Sequence, residues 1–241
     1  MKASSLINLL FKIAPYVANH DTLGGIGELI RAGNENDQSY QEPLSEGNLS
    51  AKDYELITIK KKMGAVIVIV GATGTGKTEL AYRIAQFIDK PTYAIAPDPK
   101  RPHPEFIRPV GLEEVNDVVP SMATVIYDDI PVYAGNRSYS DALVQQLDKD
   151  IPMVEHPRLF RHIIFVTQSM SIADRHIMQC HLAFFKPGAL LADDLERPGI
   201  RRIYKLYVDP LFEDKSDDFI KKHAAMYSRS YKGLIYVKMV K

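Results

Sequence analysis

The sequence predicts an α/β fold, a doubly wound and mainly parallel sheet with helices on both faces, and three observations predict it. The first is the run Ala65-Val66-Ile67-Val68-Ile69-Val70, apolar at every position. A strand with no polar side suits the middle of a parallel sheet, where helices cover both faces. The second is a glycine-rich turn directly after that run, followed by Leu80, Ala81, Ile84, Ala85 and Ile88 at helical spacing. The third is the continued alternation of short β-prone runs with helical stretches.

Taken in order, residues 1–19 read as an amphipathic helix that docks on the domain or on a partner. Lys12 interrupts its apolar stretch and argues against a cleaved signal peptide; a membrane-surface placement is the alternative. Residues 33–50 are polar and acidic and read as a linker. A short strand is expected at 54–59, a turn at 60–64, and after the central strand a helix over 78–88, which Pro91 stops. Further strands are expected at 92–96, 124–127, 163–167 and 182–185, with helices at 112–118, 139–149 and 172–180. The tail reads as a helix around 217–227 and a closing strand at 234–238. The chain thus divides into an N-terminal helical segment and linker (1–53), a core (54–190) and an extension packed on that core (191–241).

Composition narrows the function classes. Lys plus Arg and Asp plus Glu balance at 30 each over 241 residues, so the chain as a whole is not polycationic. Contact with nucleic acid would have to come from local patches, or from a ring of subunits lining a channel. The single Cys180 excludes an intramolecular disulfide and a cysteine-based zinc site, and suggests a reducing setting. The apolar runs are far too short to span a bilayer, which points to a cytoplasmic protein. Seven histidines are scattered without metal-ligand spacing and read as surface or core residues.

Gly71-Ala72-Thr73-Gly74-Thr75-Gly76-Lys77-Thr78 fits the pattern G-x-x-x-x-G-K-[ST] in full. Glycines let such a loop curl so that successive backbone N–H groups face phosphate oxygens, and the following helix adds its positive N-terminal end. Lys77 would reach the β- and γ-phosphates, the Thr78 hydroxyl would ligate magnesium, and Glu79 completes the expected ATP-binding stretch. A strand before the loop and an amphipathic helix after it set this apart from a chance glycine turn. ATP with magnesium is the ligand pair implied; GTP remains open.

A P-loop needs an acid at the end of a nearby strand to hold the hydrated magnesium. Residues 123–127 lead into Asp128-Asp129, a hydrophobic strand followed by acids. Asp128 would sit by the metal and Asp129 could polarise the attacking water; the bland reading is an acidic turn before Pro131. A second buried run ends in Thr167-Gln168. Inserted between the P-loop strand and the acid strand, it would bring Gln168 within reach of the γ-phosphate, in the RecA/ASCE-like arrangement. The alternative is a simple helix cap. Arg158, Arg161 and Arg137 are candidates to reach a neighbouring subunit's γ-phosphate, each weighed against an ordinary surface role.

Together these motifs resemble the FtsK–HerA group of P-loop motor ATPases: the loop at 71–78, the strand ending in Asp128-Asp129, and the strand ending in Thr167-Gln168. In that group a Thr-Gln pair closes the strand and an arginine shortly before it serves the adjacent subunit, which implies that role for Arg158 first and Arg161 second. The brevity of the chain makes it look most like the genome-packaging ATPases of tailless icosahedral viruses with internal membranes. The resemblance covers roughly residues 63–187. It implies an ATP-driven motor on double-stranded DNA, acting as a homo-oligomeric ring, often a hexamer, in the host cytoplasm or on the virion. A capsid or membrane-vertex partner would dock through the N-terminal helix. The basic loop with Lys100, Arg101, His103 and Arg108, and the basic tail from 221 to 241, are candidate DNA contacts, each with a solvated surface as its bland reading. Two other classes compete. One is a nucleotide or small-molecule kinase with Arg197, Arg201 and Arg202 as a lid. The other is a nucleotide-dependent switch.

Overall fold

The structure, a computed structural model, describes residues 47–48, 59, 62–95, 102–128, 145–146, 150–151, 153–154, 156, 159–168, 180–188, 198–227 and 232–236. The expected N-terminal helix, most of the linker, Asp129, Arg137, Arg158, Arg197, Lys100 and Arg101 lie outside these residues.

Among the described residues nine strands form one sheet: β1 (Gly47–Asn48), β2 (Ala65–Val70), β3 (Thr92–Ile95), β4 (Ile107–Pro109), β5 (Thr124–Tyr127), β6 (His162–Thr167), β7 (Leu182–Phe185), β8 (His223–Tyr227) and β9 (Lys232–Tyr236). Their order across the sheet is β1-β9-β8-β7-β2-β6-β5-β3-β4. From β4 to β7 every pairing is parallel, whereas β8 runs antiparallel to both β7 and β9. The described helical elements are α1 (Lys77–Ile88), a 3-10 turn (Leu112–Glu114) running into α2 (Val115–Val118), α3 (Pro198–Ile203), a π-helical turn (Tyr204–Val208), α4 (Asp209–Phe212) and α5 (Asp217–Lys222). The α/β, doubly wound P-loop fold expected from the sequence is the fold observed. Among the described residues, no helix is long and apolar enough to cross a membrane.

The all-apolar run of β2 feeds two core layers at once. Val66, Val68 and Val70 enter one, with Tyr204, Val208 and Phe212 from the 198–212 helical stretch. Ala65, Ile67 and Ile69 enter the other, with Leu80, Ala81, Ile84, Ala85 and Ile88 of α1. Strand side chains alternate between faces, so a strand buried on both sides must be apolar throughout. Full burial of Leu80, Ile84 and Ile88 contributes about 1.5–3 kcal/mol each and holds α1 against β2. The helix ends at Asp89, which adopts a left-handed conformation with φ 62° and returns its N–H to the Ala85 carbonyl.

Two expectations are corrected. Ile59, the described residue of the strand expected at 54–59, is helical and buried in the second layer. The helix expected over 217–227 stops at Lys222, and His223–Tyr227 continues as β8. Ala224, Ala225 and Met226 favour helix intrinsically, but pairing with β7 and β9 overrides that preference. Ala224 and Met226 then face one layer while Ala225 and Tyr227 face the other. β4, a three-residue edge strand ending in Pro109, was not anticipated.

Two buried titratable groups serve the fold. Cys180 packs in the core, and burial pushes its thiol up to about 12, so it behaves as an apolar filler. His162 opens β6 fully buried, and burial, with the Lys90 cation adding to it, pushes its imidazole down to about 4. An unfolded imidazole titrates near 6.5, so between those values the unfolded chain binds the extra proton. Stability should therefore fall as pH drops from about 6.5 to about 4. Urea unfolding at stepped pH should show this slope in the native chain and a flatter one in His162→Phe; identical slopes would remove His162 as the cause.

Candidate nucleotide-phosphate site

Parallel strands β5, β6 and β2 end at one edge of the sheet, where Lys77, Thr78, Asp128 and Gln168 lie. β6 lies between the P-loop strand and the acid strand, pairing with each. That inserted strand is the RecA/ASCE-like arrangement, and clefts at such carboxyl edges are where open α/β sheets bind ligands.

The loop leaving β2 is tied to both neighbouring strands. Gly71 N–H donates to the Thr167 carbonyl at 3.4 Å, and Ala72 N–H donates to the Pro187 carbonyl at 2.8 Å. Within the loop, the Thr75 hydroxyl donates to the Ala72 carbonyl at 2.8 Å. Gly74 and Gly76 take φ of 81° and 84°, a left-handed region that glycine enters without steric cost. Gly76 also caps the start of α1, leaving the helix's first N–H groups at the loop's concave side. Lys77 is buried, and its ammonium donates to the Ala72 carbonyl at 2.7 Å, which holds it folded over the loop.

Asp128, one residue past β5, is 2% exposed, and its Oδ1 accepts a 3.0 Å hydrogen bond from the Thr78 hydroxyl. Buried carboxylate and hydroxyl oxygens side by side are the hard donors magnesium takes from protein, with water and phosphate supplying the rest. The pair fits the ion. Gln168, one residue past β6, accepts a 2.5 Å hydrogen bond from the Thr73 hydroxyl through Oε1, so the strand order brings it to the tip of the loop. Glu79 has its carboxylate engaged by the Arg83 guanidinium one helical turn on.

Other expected residues fall elsewhere. Arg161 precedes β6, about 23 Å from its Gln168 end at the usual strand rise. It is buried, donating to the Val119 carbonyl and, at 3.4 Å, to the Pro120 carbonyl. Its guanidinium ties β6 to the turn before β5. Arg201 and Arg202 lie on α3, with Arg202 exposed. Arg108 is exposed on β4, and His103 packs on α1, its Nδ1 2.8 Å from the Tyr82 hydroxyl.

One charged residue at this edge was missed. Lys186 follows β7 fully buried, its side chain running behind the loop to donate to the carbonyls of Ile220 and Lys221 at 2.7 and 3.1 Å. Burial lowers its ammonium to about 7, with Arg83 and Lys77 adding to the effect and Glu79 opposing it. The signal available in sequence was a lysine closing an apolar run, Leu182-Ala183-Phe184-Phe185-Lys186.

No protein-family model matches the chain, and no curated protein matches it. Among solved structures, it is similar to EccC of Thermomonospora curvata (ATPases 2 and 3) in complex with a signal sequence peptide. The TM-score is 0.47 at 13% identity, over 76% of this chain and 38% of that one. The cytoplasmic domain of the same organism's type VII secretion ATPase EccC matches with TM-score 0.47 at 10% identity, over 74% of this chain and 26% of that one. The RadB recombinase matches with TM-score 0.40 at 15% identity, over 60% of this chain and 84% of that one. The chain thus spans well under half the length of either EccC structure.

Proposed function

We propose that the chain hydrolyses ATP at the 71–78 loop and uses the energy to translocate double-stranded DNA, packaging a viral genome. The observation that carries the hydrolytic part is the seat of Gln168. A polar residue just past the end of a strand of its own, bonded to the loop tip at Thr73, would orient a water against the terminal phosphate. The DNA and packaging parts rest on the likeness of the three motifs to FtsK–HerA motors.

The loop's N–H groups and Lys77 would take up phosphate charge, with Lys77 exchanging its Ala72 carbonyl for phosphate oxygens. Thr78 and Asp128 would hold magnesium, which when bound neutralises charge on the β- and γ-oxygens. Asp129 is assigned the proton of the attacking water. Arg158 is assigned to the adjacent subunit's γ-phosphate within a homo-oligomeric ring, the kind of contact that adds about 10³–10⁵ in rate.

ATP turnover measured with and without double-stranded DNA, alongside the size of the nucleotide-bound protein, tests this. A DNA-stimulated ring is expected; a DNA-indifferent monomer would overturn the motor. Asp129→Asn should abolish turnover and leave nucleotide binding intact, and unchanged turnover would remove Asp129 as the base.

A further inference from the structure

The carboxyl edge holds a connection that nucleotide hydrolysis does not itself require. Lys186 occupies the position beside the loop on β7, where its backbone N–H donates to the Val70 carbonyl at 2.8 Å. Its stem packs against Gly71 so closely that a Cβ added there would stand 2.5 Å from the Lys186 Cβ. From that point the buried side chain reaches the last carbonyls of α5, those of Ile220 and Lys221, at 2.7 and 3.1 Å. A cation on the carbonyl end of a helix is well placed both for hydrogen bonding and for the helix dipole.

The same end of α5 also meets the loop from the other side. A Cβ added at Gly76 would stand 3.0 Å from the Lys221 carbonyl oxygen and 3.3 Å from the Lys221 Cα. The phosphate loop is therefore held between two parts of one assembly: Lys186 behind Gly71, and the backbone of Lys221 against Gly76. Neither the loop's entry nor its helix start can shift without disturbing the seat of α5. Beyond α5 the chain passes directly into β8, so the seat of this short helix also sets how β8 enters the sheet.

We infer that Lys186 is a positioning residue that couples the phosphate loop to α5, so that filling the loop with nucleotide and seating α5 favour one another. The inference rests on the reading of the 71–78 loop as a nucleotide site. Charge supports the direction of the coupling. Lys186 shares its surroundings with the cations Lys77 and Arg83, and with Glu79. A polyphosphate entering the loop offsets that positive charge and favours the ammonium form that holds the α5 carbonyls. By reciprocity, a firmly seated α5 raises affinity for the polyphosphate by the same factor.

Amide hydrogen exchange of the full chain, with and without magnesium and ADP, is the test. In the native protein nucleotide should slow exchange at 71–78 and at 217–223 together. Lys186→Met should keep the slowing at 71–78 with affinity weakened about five- to tenfold, lose it at 217–223, and be rescued in part by Lys186→Arg. Should Lys186→Met fail to fold, Ser216→Ala gives the second route. Ser216 caps α5 by accepting from the Phe219 N–H at 3.2 Å, away from the loop. That variant should fray α5 and weaken ADP binding at least about twofold. Native protein that slows at 71–78 and not at 217–223 would overturn the coupling while leaving the nucleotide site standing. So would a frayed α5 with unchanged ADP affinity. No slowing at either segment would overturn the nucleotide site, and the coupling with it.

Discussion

Asp128→Asn should reduce magnesium-dependent ATP turnover by about 10²–10³-fold, the scale of losing one preorganised electrostatic group, while the protein stays folded. The carboxylate is 2% exposed and already accepts a hydrogen bond from Thr78 at 3.0 Å. An amide oxygen can keep that bond and the side chain's volume, so the change isolates charge. What is lost is a negative oxygen beside the Thr78 hydroxyl, the feature that fits this pair to a divalent cation. Phosphate release at saturating ATP, with a magnesium titration, measures both the rate and the metal dependence. Turnover at the native rate with the native magnesium dependence would reduce Asp128 to a clamp on the first turn of α1.

Gly64→Ala should be the most damaging small substitution for the fold. A Cβ there would stand 2.1 Å from the Val154 carbonyl oxygen and 2.8 Å from that of Arg161. Both obstacles are backbone, and Gly64 immediately precedes β2, the strand that carries the phosphate loop. Relief would require moving either β2 or the segments that pack against its start. The cost should reach or exceed the roughly 3 kcal/mol at the upper end of ordinary overpacking. Against a total stability of about 5–15 kcal/mol, that is a large loss. For a chain of this length it corresponds to a fall in melting temperature on the order of 6–12 °C. Thermal unfolding followed by circular dichroism checks this, and a midpoint within about 2 °C of the native one would contradict it.

The parts of this protein that the sequence makes legible are those that contiguous residues specify. Eight consecutive positions define the phosphate loop, and the short, β-branched, all-apolar run before it reads as a strand covered on both faces. Asp128 is readable because an apolar run ends in it. Gln168 stands between these cases. Its strand is evident, but its place beside Thr73 depends on β6 lying between β2 and β5, a condition the sequence leaves open and the pairing shows.

What escaped the sequence depends on contacts between distant residues. Arg161 looks like any arginine near a site until the carbonyls of Val119 and Pro120 are found around it. β8 looks helical because Ala224, Ala225 and Met226 are helix formers, and only the neighbouring strands β7 and β9 make it extended. Lys186 closes an apolar run with nothing local to mark it. Its partners, the carbonyls of Ile220 and Lys221, lie 34 and 35 residues further along the chain.

The most direct measurement is phosphate release from ATP by the full chain, set beside Lys77→Ala and beside the native protein in EDTA. Hydrolysis at the 71–78 loop requires steady release by the native protein, lost on replacing Lys77 and lost again on removing magnesium. A native chain that releases no phosphate even with double-stranded DNA present, or one whose release survives Lys77→Ala, would contradict it.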